Sequence, residues 1–331
     1  MRARTAVLLL AAPALLVGAP LAAAGEVPDI DLTGERAAIE QFQALDQRLQ
    51  DVGWRLARSN AEFCRQPIPS IGLQLQDLAS YGRPEIAREA LGLSGDFAVQ
   101  TAASGSPAGE SGALVANREV NRLERFDPNE WEAGERLYWQ RLTRAHDHID
   151  AMLVEHGGIE IGLAGGDAVR LIPLEACATR FELTGSGGRA VADGSRVVIG
   201  VKFPGFAMSE DLLAAAIAHE LAHNLLEHRA WLDANGRRRS HVRATEREAD
   251  RLMPWLLANA GYDPAAAVRF FEKYRPSSGS VLFIPGSHAR WKDRVKIVEG
   301  ELPAIRALME TSGKADWATH FSREIDSGNA Q

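Results

Sequence analysis

Residues 216–228 read AIAHELAHNLLEH. His219 and His223 stand four apart, and Glu220 directly follows the first of them. The preceding run, LLAAAIA at residues 212–218, is apolar on every side, and Ser209 with Glu210 and Asp211 makes a good helix start. A helix apolar all round is a buried helix, so polar side chains on it need partners. Positions i and i+4 share a helical face, which lets both imidazoles reach one tetrahedral zinc. Glu220 projects about 100° further round the helix. From there it can take a proton from a metal-bound water and pass it to a leaving amine.

A catalytic zinc site needs a third protein ligand. His228 lies five residues past His223, a position that swings about 140° off the ligand face. It is therefore read as a histidine at a helix C-terminus and not as a ligand. The stretch ATEREADRLMPWLLANAGYDP at residues 244–264 offers a second helix, ending at Gly261, with Glu246 and Asp250 again four apart. Glu246 would complete a His₂Glu set with one position open for water, and Asp250 would accept the outer N–H of His219. Glu248 does not share the face of Asp250, so Glu246 is the expected ligand. Pro254 should kink this helix or relax it.

Outward from these helices, the chain has 331 residues, 46% of them hydrophobic, enough for one large domain or two ordinary ones. Residues 1–24 have the layout of a signal peptide: Arg2 and Arg4, an apolar run, then small residues up to an expected cleavage after Ala24. Loss of that segment would make a chain of net charge −7 still more acidic. Such a chain is a poor nucleic-acid binder. No later run is long enough to span a membrane. The basic stretch RRRS at residues 237–240 follows Asn235-Gly236 and reads as a solvated loop. The expected setting is the periplasm or the exterior. There, two cysteines, Cys64 and Cys177, are expected to pair as a disulfide.

The expected organisation is α+β. Residues 25–78 form an N-terminal helical segment packed on the catalytic domain. Its apolar face runs through Ile39, Phe42, Leu45, Leu49, Val52 and Leu56, and PIPSIG at residues 67–72 reads as a loop. Residues 79–176 form a small β-rich domain. Its strand from Phe97 and the hairpin IEIGLAGGDAVRLIPL at residues 159–174 turn through glycines, and a helix lies between them. Residues 177–321 form the zinc domain, mainly helical after one strand region, SRVVIGVKF at residues 195–203. Its RVVIGV is taken as the edge that an extended protein or peptide substrate joins. Residues 322–331 are polar and expected to be loose.

HELAHN at residues 219–224, EREADR at 246–251 and AGYDP at 260–264 together resemble the zinc metallopeptidase family of the CAAX prenyl protease and HtpX type, metallopeptidase family forty-eight. They are most similar to its soluble exported bacterial members. The resemblance implies a mainly helical gluzincin domain and peptide-bond hydrolysis with one Zn²⁺ per chain, in cell-envelope quality control. It extends to GSHARWKDR at residues 286–294, where Ser287, His288 and Arg294 match the family's motif and Ala289 replaces its proline. The resemblance implies that His288 either stabilises the transition state or caps the zinc. Arg294 would be structural or pair with acids near the site. GSPAGESGAL at residues 105–114 resembles a segment of the PDZ domains attached to exported proteases, although Ala116-Asn117 depart from that pattern. This implies a module that recruits peptides. An alternative reading makes the whole chain a peptide-binding, chaperone-like protein with a self-capped, nearly silent zinc site.

Overall fold

The computed structural model describes residues 30–134, 137–274 and 291–325. The expected signal peptide and His288 therefore lie outside the described residues. The architecture is α+β.

The longest helix, α1 (Leu32–Ser59), ends one residue before Asn60, much as its apolar period predicts. It contributes Leu49, Val52, Trp54, Leu56 and Ala57 to the largest of three hydrophobic cores among the described residues, and Ile39 to the smallest, with Leu78, Ala87 and Leu91. Most of the rest of the largest core comes from α5 (Glu210–Leu225), α7 (Arg239–Asn259), α8 (Ala266–Tyr274) and α9 (Trp291–Ser312), with α10 (Trp317–His320) closing one side and Phe181, Ala190, Val197 and Ile199 of a small sheet covering another. The expected apolar helix α5 is buried along nearly its whole length. Pro254 does not end α7, which runs on to Asn259. Its neighbours Leu252, Met253, Trp255 and Leu256 are all buried, so packing holds the turn that lacks a proline N–H.

The second core begins at Ile71, ahead of residue 79, and ends at Leu171. Two small sheets build it: β2 (Leu73–Asp77) with β3 (Phe97–Ala102), and β4 (Val120–Leu123) with β5 (Ile159–Leu163) and β6 (Ala168–Leu171). The hairpin pairs Ile159 with Leu171 and turns through Gly165 and Gly166, both at positive φ. Helix α4 (Gln140–His156) packs on these sheets through Ala145, Ile149 and Leu153, and ends at Gly157 in the left-handed region. Two short helices, α2 (Pro84–Leu91) and α3 (Pro107–Glu110), fill the connections.

Two strand readings need correction. The stretch PIPSIG is not all loop: β1 (Pro67–Ser70) pairs antiparallel with β7 (Leu174–Cys177). Prolines are tolerated because β1 has one partner only, and an edge strand can spare N–H groups. The RVVIGV segment is not an edge: β10 (Arg196–Gly200) is the middle strand of three, between β8 (Arg180–Thr184) and β9 (Ala190–Ala192). The edge next to α5 is β9. The expected disulfide forms: Cys64 and Cys177 are bonded, 113 residues apart, beside the β1–β7 ladder.

Candidate metal centre

The two helices that carry the motifs, α5 and α7, pack against each other through the largest core. That packing sets Glu246 opposite the histidine face of α5. The ring atom His219 Nε2 lies 3.3 Å from His223 Nε2. Glu246 Oε2 stands 3.4 Å from His219 Nε2, and Glu246 Oε1 stands 3.5 Å from His223 Nε2. Three donors about 2.0–2.1 Å from one tetrahedral ion stand about 3.3 Å from each other, so this group has the spacing of a metal site. His219, His223 and Glu246 form the one group among the described residues whose donor atoms converge in this way. Glu248 does not join it.

The outer face of His219 also behaves as the spacing suggests. Its Nδ1 lies 3.1 Å from Asp250 Oδ1. Asp250 is in turn held by Arg294, whose Nε is 2.7 Å from Oδ2 and whose Nη2 reaches Oδ1. Arg294 is buried, and its guanidinium lies over the Phe271 ring. Burial disfavours the charged His219 ring, but the hydrogen bonds it donates to the Asp250 and Glu246 carboxylates, with their charges, outweigh that and raise its pKa to about 9 in the metal-free protein. A metal must displace that proton. Burial alone would raise the Asp250 carboxyl, but the Arg294 charge and the hydrogen bonds it accepts from His219 and Arg294 outweigh that and hold it below its ordinary value, so it stays a carboxylate.

Glu220 sits on the next face of α5, and Ala192 N–H of β9 donates to its Oε2 at 2.9 Å. One turn on, Asn224 Oδ1 accepts from Gly194 N at 2.8 Å. The Asp193-Gly194 turn that joins β9 to β10 is thereby seated on the helix. Gly194 has φ +101°, and Asp193 Oδ1 accepts from Ser195 N and Arg196 N, so the local sequence builds the turn itself. Burial pushes the Glu220 carboxyl up to about 7, against the His219 charge and with that of Glu246. A bound dication would bring it down again.

The reading of His228 needs a correction of its own. It is not among the ligand atoms, as expected, but it is also not a histidine at the end of α5. Helix α5 stops at Leu225, Glu227 adopts a left-handed conformation at φ 56°, and His228 opens α6 (His228–Asn235). The break turns the chain back, so the 140° swing of a continuous helix never happens. His228 is buried, with Nδ1 2.9 Å from His223 Nδ1 and Nε2 3.0 Å from Glu248 Oε2. Neither His228 nor Glu248 was assigned a role from sequence. A polar pair at one-off spacing gives no periodic signal, and the helix break has no glycine or proline to announce it.

A separate cleft of about 540 Å³ lies between the two larger cores, lined by Asp46 and Phe181 on one side and by Leu75, Leu142 and His146 on the other. The β2 edge beside it is met from within the protein: Leu75 N donates to His146 Nε2 at 3.3 Å. No described helix is long and apolar enough to cross a membrane. No protein-family model, curated protein or solved structure matches the chain.

Proposed function

We propose that the chain is an exported, zinc-dependent endopeptidase of gluzincin type, the activity implied by its resemblance to metallopeptidase family forty-eight. The observation that carries the reading is the convergence of His219, His223 and Glu246 with Glu220 beside them on the same helix. Two imidazoles and one carboxylate are the donor set of a catalytic rather than a structural zinc. His219, His223 and Glu246 would hold the ion, which when bound would lower the pKa of a water and polarise the scissile carbonyl.

The remaining work falls to the chain's own groups. Glu220, beside the ligand histidines on the same helix, takes the proton of the attacking water and delivers it to the leaving nitrogen. Asp250 and Arg294 keep the His219 ring oriented with Nε2 inward. An extended substrate would lie along β9, the outer strand of its sheet, whose exposed Val191 offers an apolar contact. Export is supported by the Cys64–Cys177 disulfide.

The test compares purified wild type with Glu220→Gln for zinc content and casein cleavage. Both should hold about one zinc per chain, and only wild type should cleave, the variant losing about 10²–10⁴-fold in rate. A wild-type protein without metal, or equal cleavage by both, would end this reading.

A further inference from the structure

His219 is oriented directly by a carboxylate; His223 has no carboxylate at its Nδ1. Its Nδ1 meets His228 Nδ1 at 2.9 Å, and His228 Nε2 meets Glu248 Oε2 at 3.0 Å. With His223 Nε2 turned to the metal, its proton must sit on Nδ1 and point at His228. His228 then accepts at Nδ1 and carries its own proton on Nε2, which points at Glu248. One tautomer of each ring satisfies the whole chain. The side chains of His228 and Glu248 are 1% and 0% exposed, so the link between them is shielded from bulk solvent.

What holds Glu248 is the end of the described chain. Residues 322–325 were expected to be loose, yet they close over this carboxylate. Arg323 Nε donates to Glu248 Oε2 at 2.9 Å, and the backbone N–H groups of Glu324 and Ile325 both donate to Oε1, the latter at 2.9 Å. Arg323 Nη2 also donates to Leu226 O, at the break between α5 and α6 that returns His228 to the site. Arg247 fixes Glu324, Arg251 Nη1 donates to Ser322 O, and Ile325 is buried. A carboxylate buried this deeply is costly unless fully bonded. Here the C-terminal segment supplies most of the bonds, and His228 supplies the remaining one.

We propose that this segment is part of the metal centre. It fixes Glu248, and Glu248 through His228 orients the ring of His223, so that His228, Glu248 and Arg323 are positioning residues for the second histidine ligand. The inference rests on the zinc reading above.

The test measures zinc affinity by chelator competition, and the visible spectrum of the Co²⁺ form, on full-length mature protein. Outer partners of ligand histidines are worth about 10–100-fold in metal affinity. His228→Phe, which keeps a ring and removes the acceptor, should weaken binding by that factor and alter the Co²⁺ spectrum. His228→Asn, whose side-chain oxygen can stand where Nδ1 was, should recover most of the loss. Arg323→Ala should weaken binding several-fold, and the melting temperature of the metal-free variant separates that effect from the stability lost with the Arg323–Glu248 bond; it carries the test should His228→Phe not fold. Wild-type affinity and spectrum in both His228→Phe and Arg323→Ala would overturn this inference alone. A wild-type protein that takes up no divalent metal would overturn it together with the zinc reading.

Discussion

Single residues here have measurable consequences through their protons. The His219 pKa of about 9 in the metal-free protein means that zinc competes with a proton at that ring. The His223 ring, held well below its ordinary value by burial, is already neutral and adds no such competition. Apparent zinc affinity should therefore rise about tenfold between pH 7 and pH 8, in proportion to proton release. Chelator competition at the two values checks this, and a flat response would show that His219 is neutral before metal arrives. Asp46 gives an independent case with the opposite consequence for the fold. It is 5% exposed between Gln50 and Gln100. Burial outweighs those two hydrogen bonds and pushes its pKa up to about 6 from 3.8. Below pH 4 the carboxyl is protonated whether the chain is folded or not, and it costs nothing. Above pH 6 it is ionised in both states, and the folded protein bears a cost of about 3 kcal/mol as an order of magnitude. Asp46→Asn should thus raise the melting temperature at pH 7.5, and the gain should fade toward pH 4. Equal shifts at both pH values would show that Asp46 does not titrate in this way.

Whole elements explain what could be read in advance and what could not. Helices α5 and α7 were legible because ligand spacing and helical period coincide: His219 with His223, and Glu246 with Asp250. The hairpin β5–β6 was legible because alternating apolar residues flank Gly165-Gly166. Strand β9 was not, since Ala190, Val191 and Ala192 are too few and too small to show an alternation. It exists because β10 pairs on one side while on the other α5 accepts the Ala192 N–H and the N–H of Gly194 in the turn that follows. The same reasoning makes Asn224 the seat of that strand. Asn224→Ala leaves Gly194 N–H without its acceptor and should cost about 1–2 kcal/mol. Because β9 is the strand a substrate would join, peptide cleavage should fall further than stability does. Faster amide exchange at residues 192–194 with unchanged exchange in α7 would locate the effect. A loss spread evenly over α5 and α7 would instead mark Asn224 as a general core residue.

At the scale of the molecule, the cysteine pair was legible from compartment and count, whereas the arrangement of the two larger cores it serves was visible only in outline. The strand β1, hidden by its prolines, pairs with β7 at the place where Cys64 and Cys177 join. This ladder and the bond together form a neck between the cores. Helix α1 spans the same gap by other means. Leu49 and Leu56 pack into the larger core, while Gln43 bonds Asn117, Gln47 bonds Ala102 O, and Asp51 accepts from Ser104 N on the side of the smaller one. The disulfide is therefore not the sole tie, and its loss should act mainly on the unfolded chain. Closing a loop of 113 residues is worth about 4–5 kcal/mol in chain entropy, an upper figure because denatured chains keep some structure. Replacing Cys64 and Cys177 together by serine should lower the stability by up to that amount and keep one cooperative unfolding transition, since α1 still holds both cores. Denaturant titration followed by tryptophan fluorescence and by circular dichroism checks both parts. Coincident curves at a lower midpoint are expected. Two separated transitions would mean that the disulfide, and not the helix, makes the two cores fold as one.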